Sequence, residues 1–186
     1  IAPTPSFTIT PPSDLCDGET IDLSSLNGNE AGNFEWFDNI PSLGNLVTGS
    51  ITPANFDEYW VLFTEDASGC TDSTSITITL NAPPSFSLNP PPSLCDGDVI
   101  DLTNINGAEA GTYEWFDDDP NNGGSIITGT VTPTDGQIYW VQFTDAATGC
   151  QNTDNISITV TPPPSFTITP PNPICEGETI DLANLN

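Results

Sequence analysis

Two kinds of side chain could do chemistry in this 186-residue chain: five cysteines, at positions 16, 70, 95, 150 and 175, and 26 aspartates and glutamates. Lysine, arginine and histidine are absent, which leaves a formal charge of −26. These absences remove most catalysis. A cysteine nucleophile needs a base such as histidine to make its thiolate, and zinc needs histidine or closely paired cysteines. Glycoside hydrolysis needs one acid and one base across a single cleft, whereas every candidate acid here recurs with the segment around it. No glycine-rich phosphate loop is present. Cross-linking by sulfur and cation binding by carboxylates remain, and the chain is not expected to be an enzyme. The charge also repels phosphate backbones and anionic lipid surfaces, so no nucleic-acid partner is expected. No apolar run approaches the ~20 residues of a membrane span, so no membrane insertion is expected in this segment.

The cysteines and acids are laid out by an internal repeat, and a fixed period decides the architecture before any local reading does. "LCDGETIDL" at 15–23 returns as "LCDGDVIDL" at 94–102 and as "ICEGETIDL" at 174–182. Cys16 to Cys95 spans 79 residues, and Cys95 to Cys175 spans 80. "PSFTITPP" at 5–12 and "FEWFD" at 34–38 have counterparts at 84–91 and 113–117, and residues 164–186 match 5–27 at 17 of 23 positions. The expected organisation is the end of a preceding repeat at 1–4, complete repeats at 5–83 and 84–163, and a repeat cut short at 164–186. The opening "IAPTPSF" matches the tail of one repeat running into the next, as in a window on a longer chain.

Within a repeat the hydrophobic pattern has period two, the signature of half-buried strands. Phe7 and Ile9 share a face, as do Ile21 and Leu23, and Phe34 and Trp36. Farther on, Tyr59, Val61 and Phe63, then Ile76, Ile78 and Leu80, form inward sets. Pro and Gly clusters separate the segments, and no stretch shows capped helical spacing. With hydrophobic residues at 35% of the chain, these patterned strands argue against disorder. The expected fold is all-β: tandem immunoglobulin-like Greek-key β-sandwich repeats of about 80 residues, with Trp36 and Trp115 buried between sheets. A core of that size is marginal and gains from a cross-link or a bound ion.

The order Cys16, Gly18, Trp36, Tyr59, Trp60, Gly69, Cys70, answered by Cys95, Gly97, Trp115, Tyr139, Trp140, Gly149, Cys150, resembles the Ig-like and PKD-like repeats found in tandem in large secreted Bacteroidetes cell-surface proteins, gliding-type adhesins among them. The resemblance implies an extracellular or cell-surface setting and a role as stalk, spacer or adhesive module. The lack of any basic residue departs from that pattern and favours a bound cation or a salty habitat.

Two cysteines per repeat suit an exported protein. Two pairings stand open. Bridging within a repeat would join Cys16 to Cys70 and Cys95 to Cys150. In a standard sandwich, however, the A–B and F–G turns lie at opposite ends, separated by roughly 23 Å along a strand of about 7 residues, while a disulfide needs Cα atoms about 4.4–6.8 Å apart. In a head-to-tail string the A–B end of one repeat faces the F–G end of the next. That arrangement would set Cys16 opposite Cys150, and Cys95 opposite a further cysteine of the same type, with Cys175 repeating the position.

The acids cluster at the same turn. Asp17, Glu19 and Asp22 recur as Asp96, Asp98 and Asp101 and as Glu176, Glu178 and Asp181, and Asp117, Asp118 and Asp119 lie in the loop after strand C, which exits toward that end. Hard divalent cations take six to eight oxygens. A Ca²⁺ ion at the repeat junctions is the expectation these residues support, since unopposed like charges repel; a purely solvated acidic surface is the other reading. The expected function is a structural extracellular segment forming a stalk or filament, with neighbouring repeats or copies of the chain itself as partners. Phe37 and Phe116 are expected as exposed outward aromatics on every repeat. The alternatives are an adhesive module binding surface polysaccharide through outward Trp60 and Trp140, and a halophile surface-layer protein.

Overall fold

The computed structural model describes residues 3–12, 15–171 and 173–181. Residues 1–2 of the stretch read as the end of a preceding repeat, and 172 and 182–186 of the third copy, lie outside the described residues. Two β-sandwiches follow one another along the chain. The first contains β1 (Ile21–Asp22), β2 (Gly32–Phe37), β3 (Leu46–Val47), β4 (Ser50–Ile51), β5 (Glu58–Glu65) and β6 (Thr71–Thr77). The second contains β7 (Leu94–Cys95), β8 (Ile100–Asp101), β9 (Gly111–Phe116), β10 (Thr130–Val131), β11 (Gln137–Asp145), β12 (Gln151–Ile158) and β13 (Val160–Thr161).

In the first sandwich one sheet has the order β3-β2-β5-β6 and faces the antiparallel pair β1-β4. The second repeats this with β12-β11-β9 facing β10-β8, and a bridge from Phe116 to Ile126 standing in for the short strand beside β9. The core lies between the layers. Leu23, Leu26, Trp36, Val61, Ile76, Ile78 and Leu80 fill the first, and Leu102, Ile105, Trp115, Tyr139, Val141, Ile158 and Val160 fill their places in the second. Trp36 Nε1 donates to Asn27 Oδ1 at 2.8 Å, and Trp115 Nε1 to Asn106 Oδ1 at 2.9 Å. A buried indole N–H left without an acceptor would be costly, so the asparagine after each "DLxxL/I" run is part of the core design.

Three local departures from the sequence pattern have physical causes. The segment around Phe7 and Ile9 makes only an isolated bridge, Ile9 to Asn27; Pro11 and Pro12 lack the N–H groups that would extend pairing. The strand containing Ile21 stops at Asp22 because Asp22 caps a 3-10 turn, Leu23–Leu26, by accepting from Ser24 N at 3.0 Å. Asp101 does the same for Leu102–Ile105 through Thr103 N. Regular pairing of the 75–80 run ends at Thr77, after which Ile78 bonds through its N–H to Asp57 O and through its carbonyl to Phe56 N.

Candidate functional site at the repeat junction

The recurring "C-D/E-G-E/D" segment is a tight turn. Glu19 N donates to Cys16 O at 3.1 Å, and Gly18 sits at φ 85°, a left-handed conformation that a Cβ would strain. The Glu19 carboxylate folds back, Oε2 accepting from Cys16 N at 2.8 Å. Asp98 and Glu178 accept likewise from Cys95 N at 2.8 Å and Cys175 N at 2.9 Å. Cys16 pairs in parallel with Asn81 at the end of the repeat, and Cys95 with Thr161. Each turn cysteine therefore stands at the end where its repeat hands over to the next.

At the opposite end lies the F–G turn. Gly149 N donates to Asp145 O at 2.9 Å and Asp145 N to Cys150 O at 3.0 Å. Asp145 also accepts from Thr148 N and Oγ1 and from Ala147 N, and those bonds, the one from Thr148 N foremost, hold its carboxyl below the usual range.

Cys16 is bonded to Cys150, with Cα atoms 5.7 Å apart and 134 residues between them in sequence. The bridge is between neighbouring repeats, and the pairing within a repeat, Cys16 with Cys70 or Cys95 with Cys150, is not formed. Cys150 is 1% exposed. The connecting residues are tied at both ends: Asn81 N donates to Leu15 O at 2.9 Å in the first repeat, and Asn152 Nδ2 of the second donates to Pro84 O at 2.9 Å. Cys16, Asp17, Glu19, Gly149, Cys150 and Gln151 line an open groove at this seam. Cys70, Cys95 and Cys175 are free thiols, the first half-buried and the others exposed.

The acids read as calcium ligands are placed as follows. Asp22 and Asp101 are helix caps whose carboxyls are held low by their bonds to Ser24 and Thr103. Glu19, Asp98 and Glu178 are turn acceptors, while Asp17, Asp96, Glu176 and Asp181 are exposed. Asp117 accepts from Ser125 N, Asp118 from Asp119 N, and Asp119 from Asn121 N and the side chains of Asn121 and Asn122. Among the described residues no three Asp, Glu, Cys or His side chains converge closely enough to hold a metal ion.

Along the outward face of the larger sheets, Phe37 lies opposite Leu46 and Trp60, and Phe116 opposite Ile126 and Trp140. Phe37 is half-buried and Phe116 is only 7% exposed, so the two do not form the recurring exposed patch the sequence suggests. Their cross-strand neighbours cover them. Trp60 and Trp140 are each half-buried.

Sequence reasoning missed a second tether. Glu109, at the B–C turn, accepts from Tyr113 OH at 2.7 Å and from Ser87 N and Oγ, joining the first strand segment of its repeat to β9. Glu30 occupies the same position in the first repeat, accepting from Thr8 Oγ1 at 2.8 Å. The signal was available as an acid recurring at the same place in both copies.

Residues 82–164 match a family model described as "Ig-like domain CHU_C associated". The second sandwich is an Ig-like repeat of this kind, and the first shares its strand order, core and turns. A solved structure described as "Structural basis for Dscam isoform specificity" aligns over 86% of this chain and 45% of its own, at 18% identity and a TM-score of 0.29. This chain thus spans under half of that one. No curated protein matches the chain.

Proposed function

We propose that this chain is a structural segment of an extracellular surface protein, a stalk or filament in which Ig-like repeats run head to tail and are fixed to one another by disulfides. The bond from Cys16 to Cys150 carries this reading, because a cross-link between repeats restrains their relative motion, whereas one inside a repeat would stabilise only that repeat. An oxidising, extracellular setting follows from the same bond. No helix among the described residues is long and apolar enough to cross a membrane. Catalysis is no part of the reading, since the chain has neither histidine nor any basic side chain to pair with its acids and thiols. Calcium at the seam is a separable part of it, resting on Asp17 and Glu19 beside the bridge, and a melt in millimolar calcium against excess chelator at constant ionic strength tests it. A drop in melting temperature on chelation sustains it, and no change removes it.

The principal test is small-angle scattering of the oxidised chain beside the Cys16→Ser/Cys150→Ser double variant. The oxidised chain should give one narrow distribution of maximum dimension and the variant a broad one. Equal distributions would remove the mechanical role. Adhesion is the second reading, favoured by the part-exposed indoles of Trp60 and Trp140 on the outward sheet faces. Retention on a polysaccharide surface that is lost in Trp60→Ala and Trp140→Ala would establish it.

A further inference from the structure

We infer that Cys70 and Cys95 are the two open halves of the same bridge, and that they join one copy of this chain to the next, Cys95 of one to Cys70 of another. The inference rests on the tandem-string reading above and names the partner that its ends accept. It is carried by equivalence to a bond already present. Around the bridged Cys16, Asp17 N donates to Asn81 O at 3.0 Å and Gly18 has φ 85°; around the free Cys95, Asp96 N donates to Thr161 O at 3.1 Å and Gly97 has φ 89°. Cys16 N and Cys95 N donate to the acid three residues on at the same 2.8 Å.

The F–G halves agree equally well. Glu65 N donates to Cys70 O at 3.0 Å, as Asp145 N does to Cys150 O, and Gly69 and Gly149 have φ 66° and 72°. Cys70 N is held by Ser68 Oγ at 3.1 Å and Cys150 N by Thr148 Oγ1 at 3.3 Å. Both free thiols are thus held in the backbone geometry that the bridged pair has, and neither half need rearrange to be joined. They cannot meet within one chain. Cys70 is at the leading end of the first sandwich and Cys95 at the trailing end of the second, so two strand lengths of roughly 23 Å or more separate them, against the few ångströms a disulfide spans.

The chemistry is thiol–disulfide exchange with a low-molecular-weight disulfide, here oxidised glutathione. The Cys95 thiolate attacks a glutathione sulfur, displacing one glutathione thiolate and leaving a mixed disulfide. The Cys70 thiolate of the second chain then attacks the Cys95 sulfur and displaces the other glutathione. Two cysteine thiols are oxidised, one glutathione disulfide is reduced, and the two protons pass to the two glutathione thiolates.

The test uses the full chain carrying Cys175→Ser, so that Cys70 and Cys95 are the only free thiols, incubated in a glutathione redox buffer and resolved without reductant. A ladder of covalent oligomers is expected, with a Cys70–Cys95 peptide in the mass-spectrometric map, and either Cys70→Ser or Cys95→Ser should return the chain to monomer. Monomers with free or glutathione-capped thiols would overturn the inference, as would Cys70–Cys70 or Cys95–Cys95 links. The same map reports Cys16–Cys150. If that bond is present without the ladder, only the inference falls; if it is missing, the reading beneath falls as well.

Discussion

Glu30 and Glu109 hold the same position in the two repeats with unequal partners. The Tyr113 hydroxyl and then Ser87 hold the Glu109 carboxyl down at about 2, and burial beside that carboxylate pushes Tyr113 up to about 12. A carboxyl depressed in the folded state contributes stability that is fully present above its ordinary value near 4.5 and is lost as pH falls toward about 2. Denaturant unfolding followed between those limits should fall more steeply for the natural chain than for Glu109→Gln; parallel curves would deny the tether its role. In the first repeat the tyrosine is replaced by Phe34, and Glu30 Oε2, covered by protein, has no hydrogen-bond partner. Phe34→Tyr places a hydroxyl where Tyr113 has one, and the melting temperature should rise on the order of a few degrees. Phe34 already stacks with Phe7 and Phe63 at 5.8 and 4.8 Å, matching Tyr113 with Phe86 and Phe143 at 5.8 and 4.8 Å, so the ring need not move.

The elements differ between repeats chiefly at their turns. The turn before β5 places Phe56 at φ 70°, with its N–H donating to Ile78 O at 2.8 Å and its ring 70% exposed. Its counterpart before β11 is Gly136 at φ 74°, making the equivalent bond to Ile158 O at 2.9 Å. The left-handed conformation is costly for a bulky side chain and free for glycine, and little packing is lost with an exposed ring. Phe56→Gly should therefore stabilise the first repeat by about 1 kcal/mol, measurable by urea denaturation, and a loss of stability would mean that the phenylalanine makes contacts worth more than its strain. The same two-residue logic explains the strands. Short pairs such as β1 with β4 and β8 with β10 hold because the 3-10 turn after each is capped by Asp22 or Asp101 and plants a buried leucine in the core. The period-two pattern announced those strands but not where they stop, since a cap competes locally with the ladder.

Over the whole molecule, a charge of −26 with no counter-charge acts against compactness, and only solvent ions can screen it. The oxidised chain should melt at a higher temperature as sodium chloride is raised from ~10 mM toward ~0.1 M, where the screening length falls from about 30 to 10 Å, and level off beyond that. A requirement for molar salt of any kind would instead mark a halophilic fold. The bridge from Cys16 to Cys150 also belongs to this scale, since it joins residues of two domains that share no core. Its ends lie one full repeat and a strand apart in sequence, yet only the head-to-tail arrangement brings them together.

The sequence by itself determined the repeat, the all-β sandwich and the buried tryptophans, because period, alternation and turn residues are local properties that survive without knowledge of neighbours. It also bounded the chemistry, since a chain without histidine or any cation has few reactions open to it. Tertiary structure alone chose between the two cysteine pairings and spent most of the turn acids on backbone N–H groups. It also covered Phe116 while leaving Phe56 bare. Those outcomes depend on which ends and faces meet in space, and distances across a junction are set by the docking of whole layers, which no stretch of sequence encodes alone.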